Sequence, residues 1–314
     1  MGNPQSQEHP PPPPPPKTSV VIVSFNCAGA LRRCLAALER ATGRENIEVI
    51  VVDCGSRDES PQVESEFPWT NFLRLPRNFG LTRARNIGSR TATGDYILYL
   101  DPRVEVLPGT VAALAAALGA QPDAVAVNVL LVDPAGVPVT SVYPLPAPSD
   151  LYRIWKSGAW PAAHPAGASG PTAVEWVAAH AMLARAQFLR GLNYFDERYS
   201  WHWSDLELCW QIRRSGKKNL LLPDIRAVRH PDDTGTPAPD ARGLLSADEA
   251  LGAATYAGKH FGWFAGVKFH LAVALASLGG LVGSLLRARD LRYHLSRFGA
   301  VVTGQRIDGS QSSL

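Results

Sequence analysis

The fold is decided by residues 80–106, whose sequence is GLTRARNIGSRTATGDYILYLDPRVEV. The first half has the spacing of a helix of two to three turns, and DYILYLD (95–101) is an apolar and aromatic run that ends abruptly in an acid. Such a run predicts a strand buried on both faces. Asp101, Arg103 and Glu105 then follow at alternate positions. A carboxylate at the end of such a strand often holds a metal or a phosphate, so the arginine between two acids raises the question of what this site binds.

The same alternation of elements continues on both sides of this stretch. The other predicted strands are SVVIVSF (19–25), IEVIVVD (47–53), FLRLP (72–76) and AVAVNVLLVD (124–133), and the other predicted helices cover 31–38 and 108–120. Strands that alternate with helices predict an α/β fold with a mostly parallel, Rossmann-like sheet flanked by helices.

Two carboxylates mark one edge of the predicted sheet. Asp53 and Asp101 each follow a buried strand, although 48 positions separate them. In parallel sheets ligands bind outside the carboxyl ends of the strands. We therefore expect both side chains on one rim of the sheet, close to a ligand.

A second acidic position opens the helix predicted over 204–216. Ser204 and Glu207 have the spacing of a capping box, and Asp205 lies in the first turn, where helix dipoles favour anions. The acids therefore stabilise a helix start or serve a site. The aromatic residues just before them, Trp201 and Trp203 with His202 between, favour the site, because they suit a wall against which a sugar stacks.

Composition excludes some classes of partner. The chain has 314 residues, 46% of them hydrophobic, and a net charge of +3, which is too small to indicate a nucleic-acid partner. Its four cysteines lack CxxC spacing, which favours reduced thiols in the cytoplasm.

The two ends of the chain differ from the middle. Residues 1–17 contain seven consecutive prolines and predict a disordered leader. Residues 236–314 predict a helical tail, with one helix over 246–264 and an uncharged stretch over 271–286 that a basic segment follows. Sixteen residues fall short of the roughly 20 that span a bilayer. A helix at the membrane surface, a helix packed on the protein and a span therefore all stay open.

Five motifs in order resemble the family 2 glycosyltransferases, inverting enzymes with a GT-A fold, and within them the rhamnosyltransferase-like branch. They are VVIVSFN (20–26), VVDCGSRDES (51–60), RNFGLTRARNIGSRTATGDYILYLDP (77–102), VEWVAAHAMLARAQF (174–188) and FDERYSWHWSDLELCWQI (195–212). The resemblance implies a GT-A domain over 18–235, with a nucleotide-sugar half (18–133) and an acceptor half (134–235).

The resemblance also implies roles for individual residues. Asp205 would be the general base. The donor would contact Ser24, Asn26, Asp53, Arg85, Asn86, Asp101 and Arg103. The acceptor would meet Trp201, His202, Trp203 and Glu207. A divalent Mg²⁺ or Mn²⁺ would be held by Asp101 and His230, with Glu105 as another candidate ligand.

The implied substrates are a nucleotide sugar linked to dTDP, UDP or GDP and a glycan or lipid-linked acceptor. The reaction would take place at the cytosolic face of a membrane, with which the tail would make surface contact.

Departures from the family pattern keep a second function open. Arg103 replaces the second acid of the family's D-x-D motif, and Ser204 replaces a glutamate. Three alternatives follow: Glu105 would supply the lost oxygen, Arg103 itself would neutralise the diphosphate, or Asp101 and His230 would hold the metal together with phosphate and water. The competing function is a degenerate relative that binds nucleotide or glycan without turnover.

Overall fold

The computed structural model describes residues 16–157, 160, 170–231, 238–287 and 289–305, so nearly all of the predicted leader lies outside the described residues. The strands are β1 (Thr18–Ser24), β2 (Ile47–Asp53), β3 (Asn71–Arg74), β4 (Tyr96–Leu100), β5 (Val104–Val106), β6 (Ala124–Val132), β7 (Val142–Tyr143), β8 (Thr172–Ala173), β9 (Trp176–Val177), β10 (Ala181–Arg185) and β11 (Lys218–Arg229). The α-helices are α1 (Ala28–Glu39), α2 (Val63–Glu66), α3 (Leu81–Thr91), α4 (Thr110–Gly119), α5 (Pro148–Ser157), α6 (Ala186–Gly191), α7 (Ser204–Arg214), α8 (Pro239–Phe261), α9 (Trp263–Arg287) and α10 (Leu291–Thr303).

The central sheet has the strand order β3-β2-β1-β4-β10-β6-β11-β5, with β8 beside β11. Strand β1 runs parallel to both β2 and β4, and its register pairs Ser24 with Asp53 and Ile22 with Leu100. Asp101 follows directly after β4. The two acids therefore flank the carboxyl end of β1, which is the shared rim that the sequence predicts.

The second half of the sheet is mixed, where the sequence predicts mostly parallel strands. Strand β10 is antiparallel to both β4 and β6, and β5 is antiparallel to β11. The difference arises because β10, which comes after both strands in the chain, inserts between β4 and β6. That insertion brings the residue before β10 to the end of β4.

Side chains of the central strands alternate between two cores. Val21, Ile50 and Val52 belong to one cluster and Val20 and Ile22 to the other, as the period of two in a strand requires. Helices α1 and α4 cover the second cluster, and α3, α7 and α8 cover the first. Packing of α3 is close: a Cβ at Gly88 would lie 2.6 Å from a methyl group of Val21.

The tail forms three helices that pack on the domain. The predicted helix over 246–264 is wrong at both ends, since α8 begins at Pro239 and stops where Gly262 takes a positive φ of 97°. Helix α9 then turns back along α8, and the two backbones approach so closely that a Cβ on Gly266 would lie 2.7 Å from the Cα of Gly258. Helix α8 shares the core of α7, so the tail supports the domain directly.

Candidate active site

A cleft of about 730 Å³ opens at the carboxyl ends of β1 and β4 and at the start of α7. It brings together most of the residues that the sequence singles out. The described residues that line it include Phe25, Asn26, Cys27, Arg85, Asp101, Pro102, Arg103, Tyr143, Trp160, Trp176, His180, Trp201, His202, Trp203, Asp205 and Glu249.

Asp101 directly follows the last residue of β4, and its carboxylate is bound by two side chains. Its Oδ1 accepts hydrogen bonds from the backbone N–H and Nε of Arg103 at 2.9 and 3.0 Å, and its Oδ2 accepts from Nη2 of Arg103 at 2.8 Å. Nδ1 of His180 lies 3.1 Å from the same Oδ2. Burial alone would raise the pKa of Asp101, but the bonds from His180 and Arg103 outweigh it and hold the pKa well below its usual value.

Arg85 supplies a second cation to the cleft. Its side chain is buried, and Nη2 donates to the carbonyl of Ala179 at 2.9 Å. Burial lowers its pKa, while the nearby charges of Asp205 and then Asp101 act in the opposite direction. Among the described residues, no carboxylate lies within 4.0 Å of this guanidinium, which stays charged because arginine does not deprotonate in proteins.

The loop after β1 is fixed by the loop after β2. Asp53 accepts from the N–H and hydroxyl of Ser56, and that hydroxyl accepts from the N–H of Asn26 at 2.9 Å. Asp53 and Ser24 are buried and are not among the residues that line the cleft, so their contact with the donor stays a prediction. Both shape the rim on which Asn26 faces the ligand space.

Asp205 projects into the cleft from the first turn of α7. Its Oδ2 accepts from the N–H of Ala179 at 3.1 Å and its Oδ1 from the N–H of Leu206 at 2.8 Å. Both bonds come from backbone, so the carboxylate is oriented by donors that cannot swing away. The positive end of the α7 dipole favours its charge.

The residues just before Asp205 attach this wall of the cleft to α8. Asp248 accepts from the backbone N–H groups of Trp201 and His202 and lies 3.1 Å from Nδ1 of His202. Trp203 contacts the rings of Trp160 and Tyr256 and is 5% exposed, so little of it is open to a ligand. Trp201 and His202 are half-buried and line the cleft.

Three predicted site residues lie elsewhere. The amide of Asn86 binds the backbone N–H and carbonyl of Phe195 at 3.0 and 2.9 Å, in a separate polar cavity of about 600 Å³. Nε2 of His230 lies 2.9 Å from Glu105, and neither residue lines the cleft. The donor contact of Asn86 and the joint role of His230 and Asp101 at a metal therefore stay predictions, with Asn86 and His230 outside the lining of this cleft.

Glu207 is a fourth predicted site residue that does not line the cleft. Its carboxylate is 2% exposed and contacts Nζ of Lys259 at 2.6 Å and Nε2 of His260 at 2.7 Å. The predicted capping box is wrong, because Trp203 with φ +74° is the N-cap and Glu207 points away from it toward α8. Glu207 therefore joins two helices and does not face an acceptor.

The sequence does not predict His180 or a second group of aromatic residues, Tyr143, Trp160 and Trp176, as part of the site. His180 reaches Asp101 because its carbonyl accepts the N–H of Asp101 at the point where β10 meets β4. Trp160 lies 4.8 Å from Trp176, which lies 4.6 Å from Tyr143 between ring centroids. These residues become neighbours through the pairing of β10 with β4 and of β7 with β9, and no local sequence motif indicates these contacts.

The donor set does not fit a divalent cation. Both oxygens of Asp101 accept from Arg103, and Glu105 is engaged by His230. In the part of the chain that the structure describes, no three His, Cys, Asp or Glu side chains form a cluster that could hold a metal ion. A cation at Asp101 would have to displace a guanidinium that it also repels.

Comparison with known proteins identifies the family. Residues 19–167 match the profile described as glycosyl transferase family 2. Over 300 residues the chain is 27% identical to the N-acetylglucosaminyl-diphospho-decaprenol L-rhamnosyltransferase of Mycobacterium tuberculosis, which covers 88% of this chain and 96% of that protein.

Two solved structures share the fold. GalNAc-T7 with UDP, GalNAc and Mn²⁺ has a TM-score of 0.57 at 20% identity, over 78% of this chain and 51% of that one. The mannosyltransferase PcManGT from Pyrobaculum calidifontis, in complex with GDP-Man and Mn²⁺, has a TM-score of 0.54 at 17% identity, over 93% and 88% of the two chains. These likenesses confirm the GT-A type of fold. Residues 19–167 are therefore a glycosyltransferase domain of family 2, and the chain is similar over most of its length to a rhamnosyltransferase.

Proposed function

We propose that the protein transfers a sugar from a nucleoside-diphosphate donor to a hydroxyl of a glycan or lipid-linked acceptor, with inversion at the anomeric carbon. The observation that carries this proposal is the position of Asp205. It shares one cleft with Asp101, Arg103 and Arg85, so a carboxylate base and a cationic group for a diphosphate face the same space.

The chemistry needs a base on one side of the sugar and charge neutralisation on the other. Asp205 takes the proton of the acceptor hydroxyl as the acceptor oxygen bonds to the anomeric carbon. The bond from that carbon to the diphosphate oxygen breaks, and its electron pair leaves with the nucleoside diphosphate. The arginines offset the charge that develops there. We derive no step through a cation, because the donor set does not fit one.

The relatives suggest the substrates. The mycobacterial relative is named for a rhamnosyl donor and an N-acetylglucosaminyl-diphospho-decaprenol acceptor, and the two solved structures contain UDP and GDP-Man. We therefore propose a prenyl-diphosphate-linked sugar as the acceptor, in cell-wall or polysaccharide synthesis. The rhamnosyl donor dTDP-rhamnose is the first to test, with UDP- and GDP-sugars beside it.

An acceptor of this kind would sit in a membrane, and α9 offers a surface for one. Helix α9 is long and apolar enough to cross a membrane by length and composition, and 22% of its apolar 18-residue window is buried. Phe264, Leu271, Leu275, Leu278, Val282 and Leu285 are exposed at helical spacing. These exposed residues are followed by three arginines, Arg287, Arg289 and Arg292, whose positive charges would attract anionic lipid headgroups. We propose contact with the cytosolic face of a membrane through this apolar face of α9.

The experiment supplies the full chain with dTDP-rhamnose, UDP-GlcNAc or GDP-mannose and a short prenyl-diphospho-N-acetylglucosamine. We expect release of nucleoside diphosphate that depends on the acceptor, from one of these donors or a closely related nucleotide sugar. NMR of the product should show an inverted anomeric centre. Binding of nucleotide without consumption of any donor would favour the degenerate relative, which the pairing of Asp101 with Arg103 keeps in view.

A further inference from the structure

The ion pair of Asp101 and Arg103 is a built part of the cleft. Arg103 follows Asp101 by two positions, where its own backbone N–H and two guanidinium N–H groups all reach the same carboxylate. Asp101 accepts from Nε and Nη2 of this guanidinium, which fixes its position in the cleft. Arg103 lines the cleft and its side chain is 26% exposed, so a ligand can reach it.

Arg85 adds a buried charge to the same space. Its guanidinium lines the cleft without a carboxylate within 4.0 Å among the described residues. Burying a charge without a close counter-ion is costly. An anionic ligand in the cleft would offset that cost, and a diphosphate presents the oxygens that planar guanidinium groups bind in pairs.

Formal charges favour an anion over a metal ion at this end of the cleft. A D-x-D pair contributes −2 and needs a divalent cation to become neutral. Here Asp101 and Arg103 cancel, so this position carries two more units of positive charge than a D-x-D pair would. Arg85 adds +1, which Asp205 and Glu249 in the same cleft oppose when they are ionised. A bound Mg²⁺ or Mn²⁺ would add +2 beside two guanidinium groups.

We propose that Arg103 and Arg85 replace the divalent cation: they bind the diphosphate of the donor, and the site works without a metal. This rests on the proposed function. When the sugar–oxygen bond breaks, the electron pair goes to the diphosphate oxygen, and the two guanidinium groups stabilise that charge without exchanging a proton. Asp101 positions Arg103 and does not ligate a metal.

The test is calorimetric binding of UDP, dTDP and GDP to the full chain, in EDTA and again with Mn²⁺. We expect at least one nucleotide to bind with a Kd that changes less than about threefold between the two conditions. Arg103→Gln should weaken this binding roughly ten- to hundredfold in EDTA, because a charge-assisted bond is lost. The matched control is Arg32→Gln. Arg32 lies on α1 and forms an exposed ion pair with Glu66 of α2, so this variant should bind like the wild type.

Arg103→Asp provides a readout that simple damage to the fold would not give. It restores the second acid of a D-x-D motif, so binding should be weak in EDTA and recover with Mn²⁺. Wild-type binding that requires Mn²⁺, or Arg103→Gln binding as tightly as the wild type in EDTA, would overturn the proposal. Sugar transfer by a wild-type protein whose nucleotide binding does not depend on metal supports the proposal. Failure of all three nucleotides to bind under either condition would overturn the proposed function itself.

Discussion

Arg103 binds both carboxylate oxygens of Asp101, with Nε 3.0 Å from Oδ1 and Nη2 2.8 Å from Oδ2. The acid that a D-x-D motif offers to a metal is here the partner of the residue that replaced the second acid. His180 reaches the same carboxylate from the other side of the strand pairing. At the end of β4, two side chains from different strands' ends therefore converge on one carboxylate.

Asp101→Asn tests whether this carboxylate positions Arg103 or ligates a metal. We expect the variant to bind nucleoside diphosphate about tenfold more weakly, because Arg103 loses its charged partner. The loss should be equal in EDTA and in Mn²⁺, measured by calorimetry. A loss confined to the Mn²⁺ condition would assign Asp101 to a cation.

Glu207→Gln tests the corrected role of Glu207. Removing its charge leaves the buried His260 without its carboxylate partner, whereas Lys259 keeps its ion pair with Asp196. The free energy of unfolding should therefore fall by about 3 kcal/mol. Urea unfolding measures this change. Glu175→Gln, at an exposed pair with Arg213, is the control and should cost about 0.5 kcal/mol or less. Unchanged stability together with a raised KM for the acceptor would return Glu207 to the acceptor site.

The pair of His202 and Asp248 predicts a pH dependence of stability. Burial alone would lower the pKa of His202, but Asp248, with smaller contributions from Glu249 and Asp205, raises it. A group whose pKa is raised by folding stabilises the native state fully below its unfolded pKa, about 6.5, and loses that effect as pH rises through the folded pKa.

The measurement compares wild type with Asp248→Asn by urea unfolding at pH 6 and pH 9. Asp248 also accepts two backbone N–H groups, so part of the cost should be the same at both pH values. The remaining part should make the difference in unfolding free energy larger at pH 6. A larger difference at pH 9 would show that His202 is not stabilised as a cation.

The apolar face of α9 predicts binding to lipid. In flotation experiments the wild type should rise with anionic vesicles and much less with zwitterionic ones. Leu275→Ser and Leu285→Ser, at side chains 68% and 60% exposed, should reduce flotation without lowering stability. Leu107→Ser, exposed far from α9 in sequence, is the control. A wild-type protein that stays in the soluble fraction with anionic vesicles contradicts membrane contact, and resistance to alkaline extraction would indicate a span.

Much of the donor half is predictable from the sequence. Strands such as β1 and β2 are continuous β-branched runs because both faces of the sheet are covered, and parallel pairing then places Asp53 and Asp101 on one rim. The sequence also predicts that Asp205 lies in the first turn of α7, as the structure has it, because the helix dipole favours an acid there.

The remaining features depend on contacts between distant parts of the chain. His180 reaches Asp101 only through the antiparallel insertion of β10, and Asn86 binds Phe195, 109 positions away. Glu207 satisfies a capping pattern locally, but Lys259 and His260 offer it stronger partners. Gly262 divides what looks like one helix, because its positive φ reverses the chain where glycine alone fits without strain.

The most direct test of the central claim is the transfer rate of Asp205→Asn, with nucleotide binding measured on the same preparation. The amide keeps the shape of the side chain but cannot accept the acceptor's proton. We predict a fall in kcat of about a hundredfold or more, with Kd for the nucleoside diphosphate within about threefold of the wild type. Transfer at the wild-type rate by Asp205→Asn would contradict the assignment of Asp205 as the base.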